Sequence, residues 1–148
     1  MKLKDKVAII TGASKGIGLG CARVLGRHGA AIVIASRGDD DGEKAQRSLQ
    51  ESGINAAYIP CDVTKPEDIE QMIQATAERF GRIDCVINNA GWHPPAMTID
   101  QITLDDFESL IRLNLTSAFL VSKHAVPHLI KTRGSLINMS SAVAEIGQ

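Results

Sequence analysis

The sequence predicts an α/β domain built on a parallel sheet, on three observations. Short runs of consecutive apolar, β-branched residues alternate with longer stretches of helical periodicity, the links between them are short, and the first run leads through a glycine-rich turn into the first helix. Runs that are apolar on consecutive residues suit strands covered on both faces, whereas a strand with one wet face alternates.

Five runs read as strands: residues 7–10, 31–35, 57–59, 83–87 and 135–139. Between them the periodicity predicts helices over about 17–28, 40–52, 66–80 and 104–130. Gly29, Gly53 and Gly81 stand where the first three helices should stop. Thr64 is an N-cap candidate for the third helix, with Pro66 near its start and Glu67 and Asp68 in its first turn, where acids complement the helix dipole. Strand and helix alternate without repeat, low-complexity segment or linker, so right-handed crossovers build one doubly wound domain over residues 1–148. The pattern carries no stop signal at Gln148, and the expectation is a domain that is C-terminally incomplete.

Composition narrows the classes. Apolar residues make up 44% and charged residues 22%, ordinary for a globular chain, and a net charge of −1 leaves no basic footprint for nucleic acid or an anionic membrane. No stretch approaches the ~18 apolar residues of a membrane span, and the N-terminus lacks a signal-peptide apolar region. Cys21, Cys61 and Cys85 are scattered, which suits thiols kept reduced; the expected compartment is the cytoplasm, with an organelle lumen or matrix as the alternative. His124 and His128 have the four-residue spacing of two metal ligands on a helix face, but no acid sits between them in the H-E-x-x-H place and no third ligand is evident. They read as surface or interface histidines, and no metal is expected.

The segment 7–18, Val-Ala-Ile-Ile-Thr-Gly-Ala-Ser-Lys-Gly-Ile-Gly, carries the chemistry. Gly12 permits a tight turn, Gly16 lets a pyrophosphate approach the backbone, and Gly18 lets the helix pack closely on the sheet. Ser14, Lys15 and Ile17 complete the turn, and the helix N-terminus offers N–H donors and a positive dipole end to phosphate. The spacing is G-x-x-x-G-x-G rather than G-x-G-x-x-G. At the end of the second strand, where an acid would hold the ribose 2′-OH of NAD, stand Ser36 and Arg37; a guanidinium there, with Lys15, pairs with a 2′-phosphate. NADP(H) is therefore favoured over NAD(H), the alternative leaving Asp39, Asp40 or Asp41 to bind the ribose.

The glycine turn, Asn88-Asn89-Ala90-Gly91, Leu113-Asn114-Leu115 and Ile137-Asn138-Met139-Ser140-Ser141 occur in that order, and together they resemble the short-chain dehydrogenase/reductase family. Within it, residues 90–95 and 140–148 are similar to the type 14 17β-hydroxysteroid dehydrogenases. The resemblance implies a Rossmann-type doubly wound sheet of order 3-2-1-4-5, cut before the later helices and strands. It implies an NADP(H)- or NAD(H)-dependent oxidoreductase moving a hydride between nicotinamide and a secondary alcohol or ketone. It gives Asp62, with Val63 beside it, the adenine amino group. Asn88, Ala90 and Gly91 would lie under the adenosine and steady the central strand. Asn114 would break the long helix and hold a water in a proton relay, and Ser141 would hydrogen-bond the substrate oxygen. A Tyr-x-x-x-Lys pair would follow Ser141 by about a dozen residues, beyond Gln148. The only tyrosine, Tyr58, belongs to the third strand, away from the crevice. Apart from the resemblance, Trp92-His93-Pro94-Pro95 follows a strand on the carboxyl side of the sheet, where ligands bind in open α/β folds, and reads either as a substrate loop or as an ordinary rigid loop. Relatives dimerise through the helix matching 104–130, so a homo-oligomer is expected, or self-association of a bare apolar face.

Two rival classes remain. A complete, non-catalytic nucleotide-binding or partner-binding module would bind cofactor without turnover. A methyltransferase-type domain for S-adenosylmethionine is opposed by the three-glycine turn, Arg37 and residues 88–91.

Overall fold

The structure, a computed structural model, describes residues 1–95 and 98–141. Five parallel strands form one sheet in the order β3-β2-β1-β4-β5: β1 (Val7–Thr11), β2 (Ala31–Ser36), β3 (Ala56–Pro60), β4 (Cys85–Asn88) and β5 (Ser135–Asn138). The helices are α1 (Gly16–Arg27), α2 (Asp39–Glu51), α3 (Pro66–Phe80), α4 (Leu104–Ile111) and α5 (Ser117–Thr132). The expected order, and every expected strand and helix, is present within one or two residues at each end, apart from a break in the last helix.

Consecutive strand residues serve opposite faces, which is why the runs read as uniformly apolar. Ile9, Val33, Ala35 and Val86 pack with Met72 and Ile73 of α3 and Val121, Ala125 and Leu129 of α5. Ala8, Ile10, Ile32 and Ile34 pack on the other side with Ala22 of α1 and Ala45 and Leu49 of α2. Ile9, Ile10, Ile32 and Ile34 are fully buried; burying such a side chain contributes roughly 1.5–3 kcal/mol.

The expected glycines end the helices in left-handed geometry: Gly81 caps α3 at φ +72°, and Gly29 and Gly53 follow the caps of α1 and α2 at φ +100° and +77°. The expected cap at Thr64 is corrected. Lys65 is the N-cap of α3, without a side-chain cap bond, and Pro66 opens the helix. The Thr64 hydroxyl turns back to donate to Asp62 Oδ1 at 2.8 Å, closing a local turn in place of a cap.

The long helix divides into α4 and α5 around a π turn, Arg112–Thr116, in which the Ser117 N–H reaches the Arg112 carbonyl. Asn114 lies at its centre, the break expected there. At the opposite end of the sheet, buried Asp84 ties β1 to β4. It accepts from the Val7 N–H (3.0 Å), Lys6 Nζ (3.1 Å) and Arg82 (2.6 and 2.7 Å). Burial alone would raise its carboxyl, but these donors hold it down at about 2.

Candidate nucleotide-binding cleft

At the carboxyl end of β1, β2 and β4 lies a cleft of about 970 Å³, where ligands bind in open α/β sheets. Its floor is the glycine turn. Gly12 sits at φ +65°, and a Cβ there would come 3.0 Å from Ala90 Cα, so turn and β4 exit meet at a distance only glycine allows. Gly16, at φ +59°, faces open space. A Cβ on Gly18 would come 2.6 Å from the Asn89 amide nitrogen and 2.8 Å from the Gly12 carbonyl. Gly18 therefore brings the start of α1 against its own turn and Asn89, while Ala22 further along packs on the sheet.

α1 begins at Lys15 with no side-chain cap and no acid in its first turn. α4 contrasts with it: Thr103 accepts from the Asp106 N–H at 3.1 Å, and Asp106 Oδ2 accepts from the Thr103 N–H at 3.2 Å. The first turn of α1 thus keeps its N–H groups without a side-chain cap, with the positive end of the helix dipole beside the cleft residues Gly12, Ser14 and Lys15.

Of the expected residues, Gly12, Ser14, Lys15, Ser36, Arg37, Val63, Ala90, Gly91 and Trp92 line the cleft. Ser36 is buried, and its Oγ finds no hydrogen-bond partner among the described residues. Arg37 is exposed on the rim. Asp41 lines the same cleft, whereas Asp39 is hydrogen-bonded to Tyr58 at 2.9 Å.

Others lie off the cleft wall. Gly16 and Ile17 are exposed at the mouth of the turn, and His93 is exposed with Nδ1 2.9 Å from the Pro94 carbonyl. Asp62 Oδ1 is taken by the N–H and hydroxyl of Thr64. Desolvation would raise its carboxyl, but those two bonds and the charges of Arg37 and Lys65 hold it below the usual range. Asn88 is buried behind the cleft and ties β4 to its neighbours, its amide donating to Asn138 Oδ1 at 2.8 Å and to the Ala118 carbonyl at 3.3 Å. These bonds tie β4 to α5 and β5, and Asn88 is not among the residues that line the cleft. Ser141 is exposed, three residues beyond β5. Residues 142–148, part of the second resemblance, lie outside the described residues.

The expectations missed Asn89 and Thr11. The Asn89 amide donates to the Thr11 carbonyl at 2.8 Å and the Gly12 carbonyl at 3.3 Å, while the Thr11 hydroxyl accepts from the N–H groups of Asn89 and Ala90, both at 3.0 Å. These bonds staple the turn to the β4 exit. Cys61 and Leu113 also line the cleft; burial pushes the Cys61 thiol up to about 12, so it is a packing group rather than a nucleophile.

Asn114 holds the cleft's outer loop: its Nδ2 donates to the Trp92 carbonyl at 2.7 Å and its Oδ1 accepts from the Trp92 N–H at 3.0 Å. His124 and His128 face Glu70, Gln74 and Glu78 of α3 across a groove of about 430 Å³. Among the described residues no group of three or more His, Cys, Asp or Glu side chains could hold a metal ion, and no helix is long and apolar enough to cross a membrane.

Comparison with known proteins agrees with this geometry. The chain is 43% identical over 143 residues to the L-fucose dehydrogenase of Oryctolagus cuniculus, covering 97% of this chain and 49% of that protein. It is 39% identical over 143 residues to the mitochondrial borneol dehydrogenase of Lavandula x intermedia, covering 95% of this chain and 53% of that protein. It thus spans about half the length of the curated relatives it matches. The solved structure of a mutant short-chain dehydrogenase/reductase from Serratia marcescens superposes with a TM-score of 0.91 at 27% identity, over 98% of this chain and 59% of that one. The family model described as short chain dehydrogenase matches residues 6–148, and the chain belongs to that family.

Proposed function

We propose that these 148 residues form the dinucleotide-binding part of an NADP(H)-preferring oxidoreductase acting on a secondary alcohol or ketone. The observation that carries this is the uncapped start of α1, opened by Gly12 and Gly16 into a cleft whose opposite wall holds the unpartnered Ser36 Oγ and Arg37. The turn would receive the diphosphate bridge, and Ser36, Arg37 and Lys15 the adenosine 2′ end, each charge-assisted contact contributing roughly 1.5–3 kcal/mol. Val63, Ala90 and Gly91 would bound the adenine side, with Asp62 Oδ2 as acceptor for its amino group. When bound, the nicotinamide supplies the hydride acceptor or donor; the proton leaves or joins the substrate oxygen separately.

In this reading Ser141 hydrogen-bonds the substrate oxygen, supported by its position after β5 at the end of the sheet that carries the cleft. Asn114 acts through the loop it holds, because both ends of its amide are engaged by Trp92. Trp92 and His93 would meet the substrate, which the names of the fucose and borneol relatives suggest is a ring alcohol. Tyr58 is no acid/base, since burial and Asp39 push its phenol up to about 12. The exposed stripe of Leu104, Phe107, Ile111, Leu115 and Phe119 would bury itself against a second copy. The three thiols are free, which fits the reducing cytoplasm.

Asp41 favours a second reading, NAD(H) with the carboxylate on the ribose 2′-OH. Calorimetric titration with 2′,5′-ADP and with 5′-AMP separates them. Tighter binding of the 2′-phosphorylated fragment, lost in Arg37→Ala, supports NADP(H), and tighter binding of 5′-AMP overturns it.

A further inference from the structure

Tyr58 takes no part in the chemistry proposed above, yet the start of α2 is built around it. It pairs with Ile34 in the β2–β3 register, and its side chain runs past the end of β2. Its Oη lies 3.1 Å from the Ser36 carbonyl and 2.9 Å from Asp39 Oδ1, and its N–H donates to Gln46 Oε1 at 2.6 Å. A Cβ on Gly42 would overlap the ring. Residues 39, 42 and 46 share one face of a helix, so α2 is fastened to this one tyrosine along its first two turns.

Ser36 ends β2 and Asp39 opens α2, so one oxygen contacts both ends of a loop that contains only Arg37 and Gly38. Both loop residues line the cleft, and a Cβ on Gly38 would meet nothing within 4 Å, so the loop has no packing of its own at that point. Its geometry depends on its fixed ends.

We propose that Tyr58 is a positioning residue for cofactor selectivity: its hydroxyl, donated to Asp39 where it passes the Ser36 carbonyl, fastens the α2 end of the Ser36–Asp39 loop to β3 and so holds Arg37 at the 2′ end of the adenosine. The inference rests on the reading that the cleft takes a dinucleotide with its 2′ substituent against Arg37. A guanidinium on an anchored backbone loses less freedom when it pairs with phosphate, so the latch lowers the ordering cost of binding. The phenol has one hydrogen for two acceptors, and the Asp39 carboxylate is the stronger. The Ser36 carbonyl also accepts from the Cys61 N–H at 3.0 Å, so loss of the hydroxyl strands no buried backbone group. Tyr58→Phe should therefore fold, with its ring still against Gly42.

The test measures NADPH and NADH affinities of the full chain by energy transfer from Trp92, the only tryptophan, which lines the cleft. Tyr58→Phe should weaken NADPH by about three- to tenfold and NADH by less than about twofold. In an Arg37→Ala background the same change should cost neither nucleotide anything further, because Tyr58 acts through Arg37. Gln46→Leu, which removes another bond to Tyr58 without touching the loop, should lower the melting temperature and leave the NADPH:NADH ratio alone. An unchanged ratio in Tyr58→Phe, equal weakening of both nucleotides, or the full penalty persisting beside Arg37→Ala would overturn the inference. If Arg37→Ala itself leaves the ratio unchanged, the NADP(H) reading fails, and the role of Tyr58 with it.

Discussion

Asn114 and Trp92 form a closed pair: one carboxamide makes two hydrogen bonds, of 2.7 and 3.0 Å, to the carbonyl and N–H of a single residue. A side-chain amide here substitutes for a neighbouring strand, fixing the backbone just beyond β4 while the Trp92 ring stays exposed. A Cβ on Gly91 would come 2.8 Å from the Asn114 oxygen, so the glycine makes room for the pair.

Asn114→Asp should damage this loop more than its size suggests. The carboxylate keeps one acceptor for the Trp92 N–H but places its second oxygen where Nδ2 faced a carbonyl. The expected result is increased iodide quenching of Trp92 fluorescence with a loss of about 1 kcal/mol in urea unfolding. Quenching identical to the parent chain would contradict the pairing.

Gly16→Ala and Gly18→Ala should separate binding from folding. Alanine at Gly16 meets open space and suffers only the positive φ, about 1 kcal/mol, while in the proposed binding mode its methyl group would crowd the diphosphate. Alanine at Gly18 collides with the Asn89 amide and the Gly12 carbonyl and should cost several times more. Thermal melts with nucleotide titrations check this: Gly16→Ala should stay folded and lose nucleotide, whereas Gly18→Ala should lose both.

Asp84 sets an acid limit. Its folded value of about 2 lies below its ordinary 3.8, so the stabilisation is fully present above about pH 4 and disappears as pH falls towards 2. With Arg82 and Lys6 half exposed, the screened contribution is ~1–2 kcal/mol. Urea midpoints should fall between pH 4 and 2 in the parent chain and change less in Asp84→Asn, which should already be weaker at pH 7.

The sheet was legible because two-sided burial writes itself as uninterrupted β-branched runs, and the turn because positive φ demands glycine at positions 12 and 16. Contacts between distant segments were not legible. The motif 88–91 offered two asparagines, and only the alternation along β4 turns Asn88 behind the cleft and Asn89 towards the glycine turn. Tyr58 reads as a strand residue until the Ile34–Tyr58 register places its hydroxyl beside Ser36. Thr64 has the residue type of a cap, but Asp62, two positions earlier, competes for its hydroxyl. The break at Asn114 has little local sequence signal and was legible through the family resemblance.

The proposed self-association through the apolar stripe should be removable by one charge. Phe119→Glu, at a position 63% exposed, should leave the melting temperature of the protomer unchanged while sedimentation shifts from dimer to monomer. A dimer that does not shift, or a parent chain that is already a monomer, would contradict the proposed interface.

The most direct test of the proposed dinucleotide cleft follows the backbone amides of a 15N-labelled chain during titration with NADP+. Large, saturable shifts should appear at Ser14, Gly16, Ile17 and Gly18 and at Ser36 and Arg37, with little change at His124 and His128 in the α3–α5 groove. Saturation that leaves the amides of residues 14–18 unmoved, or no shifts at millimolar nucleotide in a folded chain, would contradict the claim that the turn after β1 holds the diphosphate.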